Sequence, residues 1–279
     1  MSFELKKNKP ISTGSIVAYF FILLTVLIIN YPFFWMIMTS LKTNSEVFNS
    51  NSFFPQDVKW GNYAEAWKAA NWSRYFMNSF IFALIPVAGQ IFFGSLAANA
   101  FTKEFKGSKI LFTLFLGTMM IPVGSIMVPN YVIVKNLGWL NTYNSMTVPF
   151  LSSAFSIFLL RQHFMTIPKE LEDAAIMDGA GYFYYLFRII MPLSVAPMLT
   201  VGLLTFMGRW NDFVWVVIMT TSEKLRTVQL GLTVFRSDWN TEWGNLMAAC
   251  TFISIPVILL FLTIQKKYIN GLMLGSVKG

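Results

Sequence analysis

Charged residues are missing from six stretches of this 279-residue chain: 15–41, 76–101, 110–128, 145–160, 189–207 and 246–264. A bilayer core takes about twenty apolar residues per helix. Each stretch therefore reads as a membrane-spanning helix, the fourth being the shortest. A further apolar stretch, 213–220, is too short to span; it extends the fifth helix or lies at the outer interface. The pattern predicts an all-α polytopic membrane protein, one domain over 1–279, with six transmembrane helices. Prolines fall inside several spans, at Pro32, Pro86, Pro122, Pro149, Pro197 and Pro256. Such breaks are tolerated where neighbouring helices or cavities satisfy the freed backbone groups. Gly89, Gly94, Ala97, Ala98 and Ala100 allow the second span to approach another closely. Gln90 and Asn99 are placed to hydrogen-bond across that contact.

The polar segment 166–192 stands out between two apolar runs. Four of the thirteen acidic residues, Glu170, Glu172, Asp173 and Asp178, fall there within nine positions. Pro168 suits a first helical turn, where a missing N–H does no harm. The acids behind it favour the positive end of the helix dipole by roughly 0.3–1 kcal/mol each. Leu171, Ala174, Ala175 and Asp178 follow helical spacing and share a face. The adjacent alanines make that face thin, so a partner backbone can come close. Gly179 and Gly181 break the helix. A bulky apolar segment, 182–190, follows, and Pro192 opens the next hydrophobic run. Short helix, glycine elbow and second helix together predict a knob projecting from a membrane.

Composition agrees. Only 12% of residues are charged, against about 25% in soluble domains. The sixteen Met and twenty-eight Phe are lipid-facing or helix-packing bulk. The net charge of +8 does not imply nucleic acid, because the basic residues sit at the ends of apolar runs, where they meet lipid headgroups. The single cysteine, Cys250, excludes an internal disulfide and reads as a small buried residue. The single histidine, His163, sits beside a membrane edge and reads as solvated. Lys6, Lys7 and Lys9 precede a long apolar stretch with no small-residue cleavage site, so the first span is expected to be retained. With the N-terminus inside, the inner segments hold the denser set of Lys and Arg. Both termini, as segments 1–14 and 265–279, and the 166–192 segment are then cytoplasmic. All nine Trp fall on the outer side, as an interfacial belt or as part of folded outer loops.

The spacing of the polar segment resembles the EAA loop of ABC importer permeases. That motif reads Glu-Ala-Ala, three residues, Gly, nine residues, Ile, one residue, Leu-Pro. Here Asp173-Ala174-Ala175, Gly179, Ile189 and Met191-Pro192 meet every interval, with Asp for Glu and Met for Leu. Asp178-Gly179-Ala180 looks like the form in maltose-type sugar permeases. The resemblance covers nearly the whole chain. It takes in Ser40-Leu41-Lys42, Asn62-Tyr63, Asn78-Ser79, Trp210-Asn211-Asp212-Phe213, Arg226-Thr227, Trp243-Gly244 and the closing Gly275-Ser276-Val277-Lys278-Gly279. Asn99 departs from an aromatic position of the family. The match is nearest to the second permease of two-permease sugar importers.

The resemblance implies a carbohydrate importer subunit of the bacterial plasma membrane. It implies a heterodimer with a second permease, two ABC ATPase subunits, and an extracellular sugar-binding protein. Glu172, Asp173, Ala174, Ala175, Asp178, Gly179, Ala180, Ile189 and Pro192 are then the ATPase-coupling residues, with the tail around Lys278 as a secondary contact. Asn130, Tyr131, Phe206 and Asn211 are candidates for the sugar path. The chain has no G-x-x-x-x-G-K-[ST] loop, H-E-x-x-H or His-Cys cluster. No cofactor is expected in it; ATP and Mg belong to the partner ATPase. An ion-coupled secondary transporter would carry an Asp, Glu or His at mid-membrane, and no span does. A channel filter and the nucleophile-base pair of an enzyme are likewise missing from the sequence. Glycerol phosphate or a polyol remains the alternative solute.

Overall fold

The computed structural model describes residues 13–49, 52–237 and 241–276, with side chains from 14 to 265. The lysines of the N-terminal segment, Trp239, and the side chains of the tail from 266 onward, Lys278 included, lie outside the described residues. Among the described residues every regular element is helical, and the only β-pairing is an isolated bridge between Arg236 and Thr241. Two compact units are seen, 1–68 with 235–252, and 69–234 with 253–279.

The first unit holds α1 (Thr13–Ser40), α2 (Asn44–Asn49), α3 (Gly61–Lys68) and the first turns of the last helix, which runs over Trp243–Ser276. α1 is long and apolar enough to cross a membrane, yet none of its apolar core is buried. Its C-terminal end is anchored through polar groups. Asn62 Nδ2 donates to the carbonyls of Ser40 and Lys42 at 2.8 and 2.9 Å. The Ser40 and Tyr63 hydroxyls lie 2.8 Å apart. Gly244 belongs to the same knot: a Cβ there would sit 2.6 Å from Asn62 Nδ2 and 2.7 Å from the Lys42 carbonyl.

In the second unit, α4 (Trp72–Ala100) is the central helix. α5 (Ser108–Thr118), α6 (Met127–Asn136), α7 (Tyr143–Thr147) and α8 (Ala154–Phe164) follow. Beyond them come α9 (Glu170–Met177), α10 (Tyr182–Tyr185), α11 (Met191–Leu193) and α12 (Val195–Trp210). Two short helices, α13 (Val214–Met219) and α14 (Val228–Gly231), precede the last helix, α15. α4 packs along both α8 and α12. Gly89 makes one approach possible: a Cβ there would lie 2.6 Å from Leu151 Cδ2 and 2.9 Å from Leu151 Cα. Gln90 ties all three helices together. Its Nε2 donates to the Phe150 carbonyl at 3.1 Å, and its Oε1 accepts from Ser153 Oγ at 3.2 Å and Thr205 Oγ1 at 2.8 Å. Asn99 does not do the same, since its amide nitrogen is buried without a partner.

Among the described residues four helices are long and apolar enough to span, and the number rises to six when two bent pairs are each counted as one span. The bends correct two of the predicted runs. The run 110–128 is not one straight helix: Ser108–Thr118 and Val123–Asn136 meet at 94°. Pro122 is extended there, at φ −60° and ψ 131°; it has no N–H for the Thr118 carbonyl and disfavours helix at Ile121. The run 189–207 bends by 81° at Ser194. Pro197, three residues on, has no N–H for the Leu193 carbonyl. The stretch 213–220 does not extend α12. It forms the separate α13, whose Trp215, Val216 and Met219 are buried.

Candidate functional site

The knob predicted at 166–192 is α9, a turn, and a second helical segment leading into α12. Glu170, Glu172 and Asp173 occupy the first turn of α9. No side chain caps that end, so these carboxylates offset the exposed N–H groups and the dipole. At the other end the chain closes in a Schellman turn. The Gly179 N–H donates to the Ile176 carbonyl and the Ala180 N–H to the Ala175 carbonyl, both at 2.9 Å. Gly179 has φ +75°, a left-handed conformation that costs other residues roughly 1–2 kcal/mol. Gly181 then starts α10 in an extended conformation.

The second segment is not uniform. Leu186–Ile190 is a π-helical stretch, in which the Met191 N–H reaches back to the Leu186 carbonyl. Pro192 lies just beyond, without an N–H for the Arg188 carbonyl, which locates the local widening of the helix. Leu186 and Ile190 are buried in a cluster with Leu160, Phe164 and Val201. Ile189 and Ala180 pack at the edge of that cluster, and Pro192 is exposed.

The face of α9 differs from the sequence expectation in one respect. Ala175 is turned inward, 6% exposed, into the same cluster. Leu171, Ala174 and Asp178 are exposed, and Met177 is 87% exposed. The alanine pair is therefore split, one methyl seating the helix on its own chain and the other pointing away. Glu172 adds a second attachment: it forms an ion pair with Lys103, in the turn after α4. Lys103 also lies over the Tyr185 ring, 5.6 Å from its centroid. Nearby, Arg161 Nε donates to the Phe101 carbonyl at 2.8 Å, and its guanidinium covers Phe112 at 4.3 Å.

Between α9, α8, α5 and the end of α4 lies a cleft of about 840 Å³, lined by residues that include Glu172, Asp173 and Ile176. Neither Lys103 nor Arg161 was among the sequence-predicted site residues. Both are single basic residues at helix ends, and nothing in their local sequence separates them from the other membrane-edge cations.

The four path candidates fall in two surroundings. Tyr131, beside the half-buried Asn130 on α6, packs against the cluster of Trp215, Val216 and Met219. Phe206 is 3% exposed and stacks on Trp210 with centroids 5.4 Å apart. Asn211 accepts from Gln229 Nε2 at 3.1 Å. A charged group that sequence reasoning passed over lies close to this end of α12. Arg209 pairs with Asp212 at 2.8 Å and lies over the Phe150 ring, 3.8 Å from its centroid.

Residues 90–271 match the family described as "Binding-protein-dependent transport system inner membrane component". The chain is 37% identical over 269 residues to the probable ABC transporter permease protein YurM of Bacillus subtilis (strain 168), covering 95% of this chain and 89% of that one. It is 31% identical over 263 residues to the trehalose/maltose transport system permease protein MalG of Thermococcus litoralis, covering 92% and 94%. Its fold matches a chain in the crystal structure of a bacterial ABC transporter involved in the import of the acidic polysaccharide alginate. The TM-score is 0.81 at 23% identity, over 95% of this chain and 99% of that one.

Proposed function

This chain belongs to the family of binding-protein-dependent transport system inner membrane components, and from that membership we propose how it works and what it carries. It is a multi-pass permease subunit of an ABC importer, and not an enzyme. The solute is a carbohydrate, a sugar or oligosaccharide, as for the trehalose/maltose relative. The chain acts as one permease domain and pairs with a second permease to enclose the path. Two ATPase subunits bind ATP and Mg below it, and an extracellular binding protein delivers the solute above. Both termini and α9 face the cytoplasm, in keeping with the basic residues of the inner segments.

The observation that carries this reading is the two-sided seating of α9. Its inner side is fixed by Ala175 and by the Glu172–Lys103 ion pair, while Leu171, Ala174 and Met177 are left bare. A short helix held on one side and open on the other suits docking into a groove of a separate protein. Closure of the ATPase pair on ATP then moves α9 as a rigid piece. Gly179 fixes the angle to the next segment, and Ile189 and Pro192 lead the motion into α12. The ATP-bound state must favour one permease conformation for this coupling to work. Asn130, Tyr131, Phe206 and Asn211 are the path residues of this reading; Phe206, being buried, is reached only when the elements packed around α12 move apart.

The test is uptake into proteoliposomes holding the whole importer and its binding protein. ATP-dependent accumulation of a labelled oligosaccharide is expected. Accumulation of labelled glycerol phosphate or a polyol instead would replace the carbohydrate assignment. Uptake driven by an ion gradient without ATP would overturn the coupling scheme.

A further inference from the structure

The cleft behind α9 has chemistry of its own. It holds about 840 Å³, within the roughly 300–1,000 Å³ range of small-molecule sites. Four cations line it: Lys103, Lys109, Arg161 and Lys169. Among the described residues the only ion pairs join Lys103 to Glu172 and Arg209 to Asp212. Lys109, Arg161 and Lys169 thus have no carboxylate partner. Arg161 uses only Nε internally, at the Phe101 carbonyl, which leaves its terminal nitrogens.

Two further features point the same way. Asn99, 2% exposed, lines the cleft and its amide nitrogen has no hydrogen-bond partner. Ser108 and Lys109, also lining it, are the first residues of α5, an eleven-residue helix with no side-chain cap. The first N–H groups of a helix and its dipole attract an anion. Apolar contact comes from Phe112, Phe164, Ile176 and Ile190, which also line it.

We propose that this cleft binds a phosphate group, carried on the headgroup of an anionic phospholipid. The phosphate sits among Lys109, Arg161, Lys169 and the α5 N-terminus, and the glycerol and first acyl carbons lie against Ile176 and Ile190. Two carboxylates not engaged in ion pairs, Glu104 and Asp173, also line the cleft. They oppose a doubly charged ion more than a singly charged phosphodiester, which favours the lipid over free phosphate. Basic pockets at the membrane edge are suited to such headgroups. The proposal rests on the cleft alone, so it stands or falls separately from the choice of transported solute.

Native mass spectrometry of the delipidated importer complex tests it, with phosphatidylglycerol, phosphatidylcholine and inorganic phosphate as probes. The wild-type complex is expected to retain phosphatidylglycerol in preference to phosphatidylcholine. The double variant Lys109→Gln/Lys169→Gln, altering two exposed side chains, is expected to lower that retention roughly tenfold while the ATPase still co-purifies. Equal retention of the two lipids by the wild type, or unchanged phosphatidylglycerol retention by the variant, would overturn the site. Displacement of the lipid by inorganic phosphate, with the same dependence on the two lysines, would overturn the lipid as its source.

Discussion

At the scale of single residues, Gly179 and the Lys103–Glu172 pair make the sharpest claims. Proline at 179 is held near φ −65° and has no N–H, whereas the turn needs φ +75° and a donor to Ile176. Gly179→Pro is expected to reach the membrane at normal level while ATP-dependent uptake falls by tenfold or more and ATPase turnover persists; uptake and hydrolysis measured on the same proteoliposomes decide it. The ion pair is part-exposed, at 37% and 29% for its two side chains, so its contribution to stability is only about 0.2–1 kcal/mol. Its role is positional. Lys103→Glu is expected to lower uptake several-fold, and Lys103→Glu/Glu172→Lys to restore most of it; failure of the double exchange in the same uptake assay would remove that role. Gly179 was legible in the sequence because a left-handed turn leaves a glycine behind. Lys103 was not, because an ion pair across 69 positions leaves no local trace.

For the helices, the hydrophobic runs located the spans and missed their bends. A run of apolar residues reports burial in lipid or protein, not straightness. Pro122 and Pro197 were visible, but proline inside a span is compatible with a kink as well as with a break. Here Pro122 is extended and the chain turns by 94°. Helical spacing also grouped Ala174 with Ala175, yet adjacent residues lie about 100° apart around a helix, and the neighbouring elements claim only one of them. The split gives opposite expectations for two similar substitutions. Ala174→Glu on the bare side is expected to leave permease levels unchanged and to weaken ATPase co-purification about tenfold. Ala175→Leu forces extra methylenes into a packed cluster, at a cost of typically 1–3 kcal/mol. It is expected to lower the amount of permease in the membrane; immunoblots and pull-downs distinguish the two.

Over the whole molecule, distant motif fragments prove to be contact partners. Ser40-Leu41-Lys42 and Asn62-Tyr63 meet in one knot of hydrogen bonds, and Gly244, far away in sequence, packs against it too closely to carry a Cβ. Asn78-Ser79 and Arg226-Thr227 do likewise: Asn78 Nδ2 donates to the Arg226 carbonyl at 2.8 Å, and the Val228 N–H to Ser79 Oγ at 2.9 Å. The sequence alone showed the fragments but not their pairing. Orientation is testable at this scale because the chain has a single cysteine. In a Cys250→Ser background expressed without the ATPase, Met177→Cys is expected to react with an impermeant maleimide in inside-out vesicles and not in intact cells. Labelling in intact cells would reverse the topology. Finally, besides the seating of Ala175, α9 is joined through its turn to the segment that becomes α12, and through Glu172 to the end of α4. Those two long helices are themselves joined at Gln90. On the coupling proposed above, a thrust arriving at α9 is shared between two struts tied together along their length, and the pair is expected to travel as a single yoke instead of shearing apart.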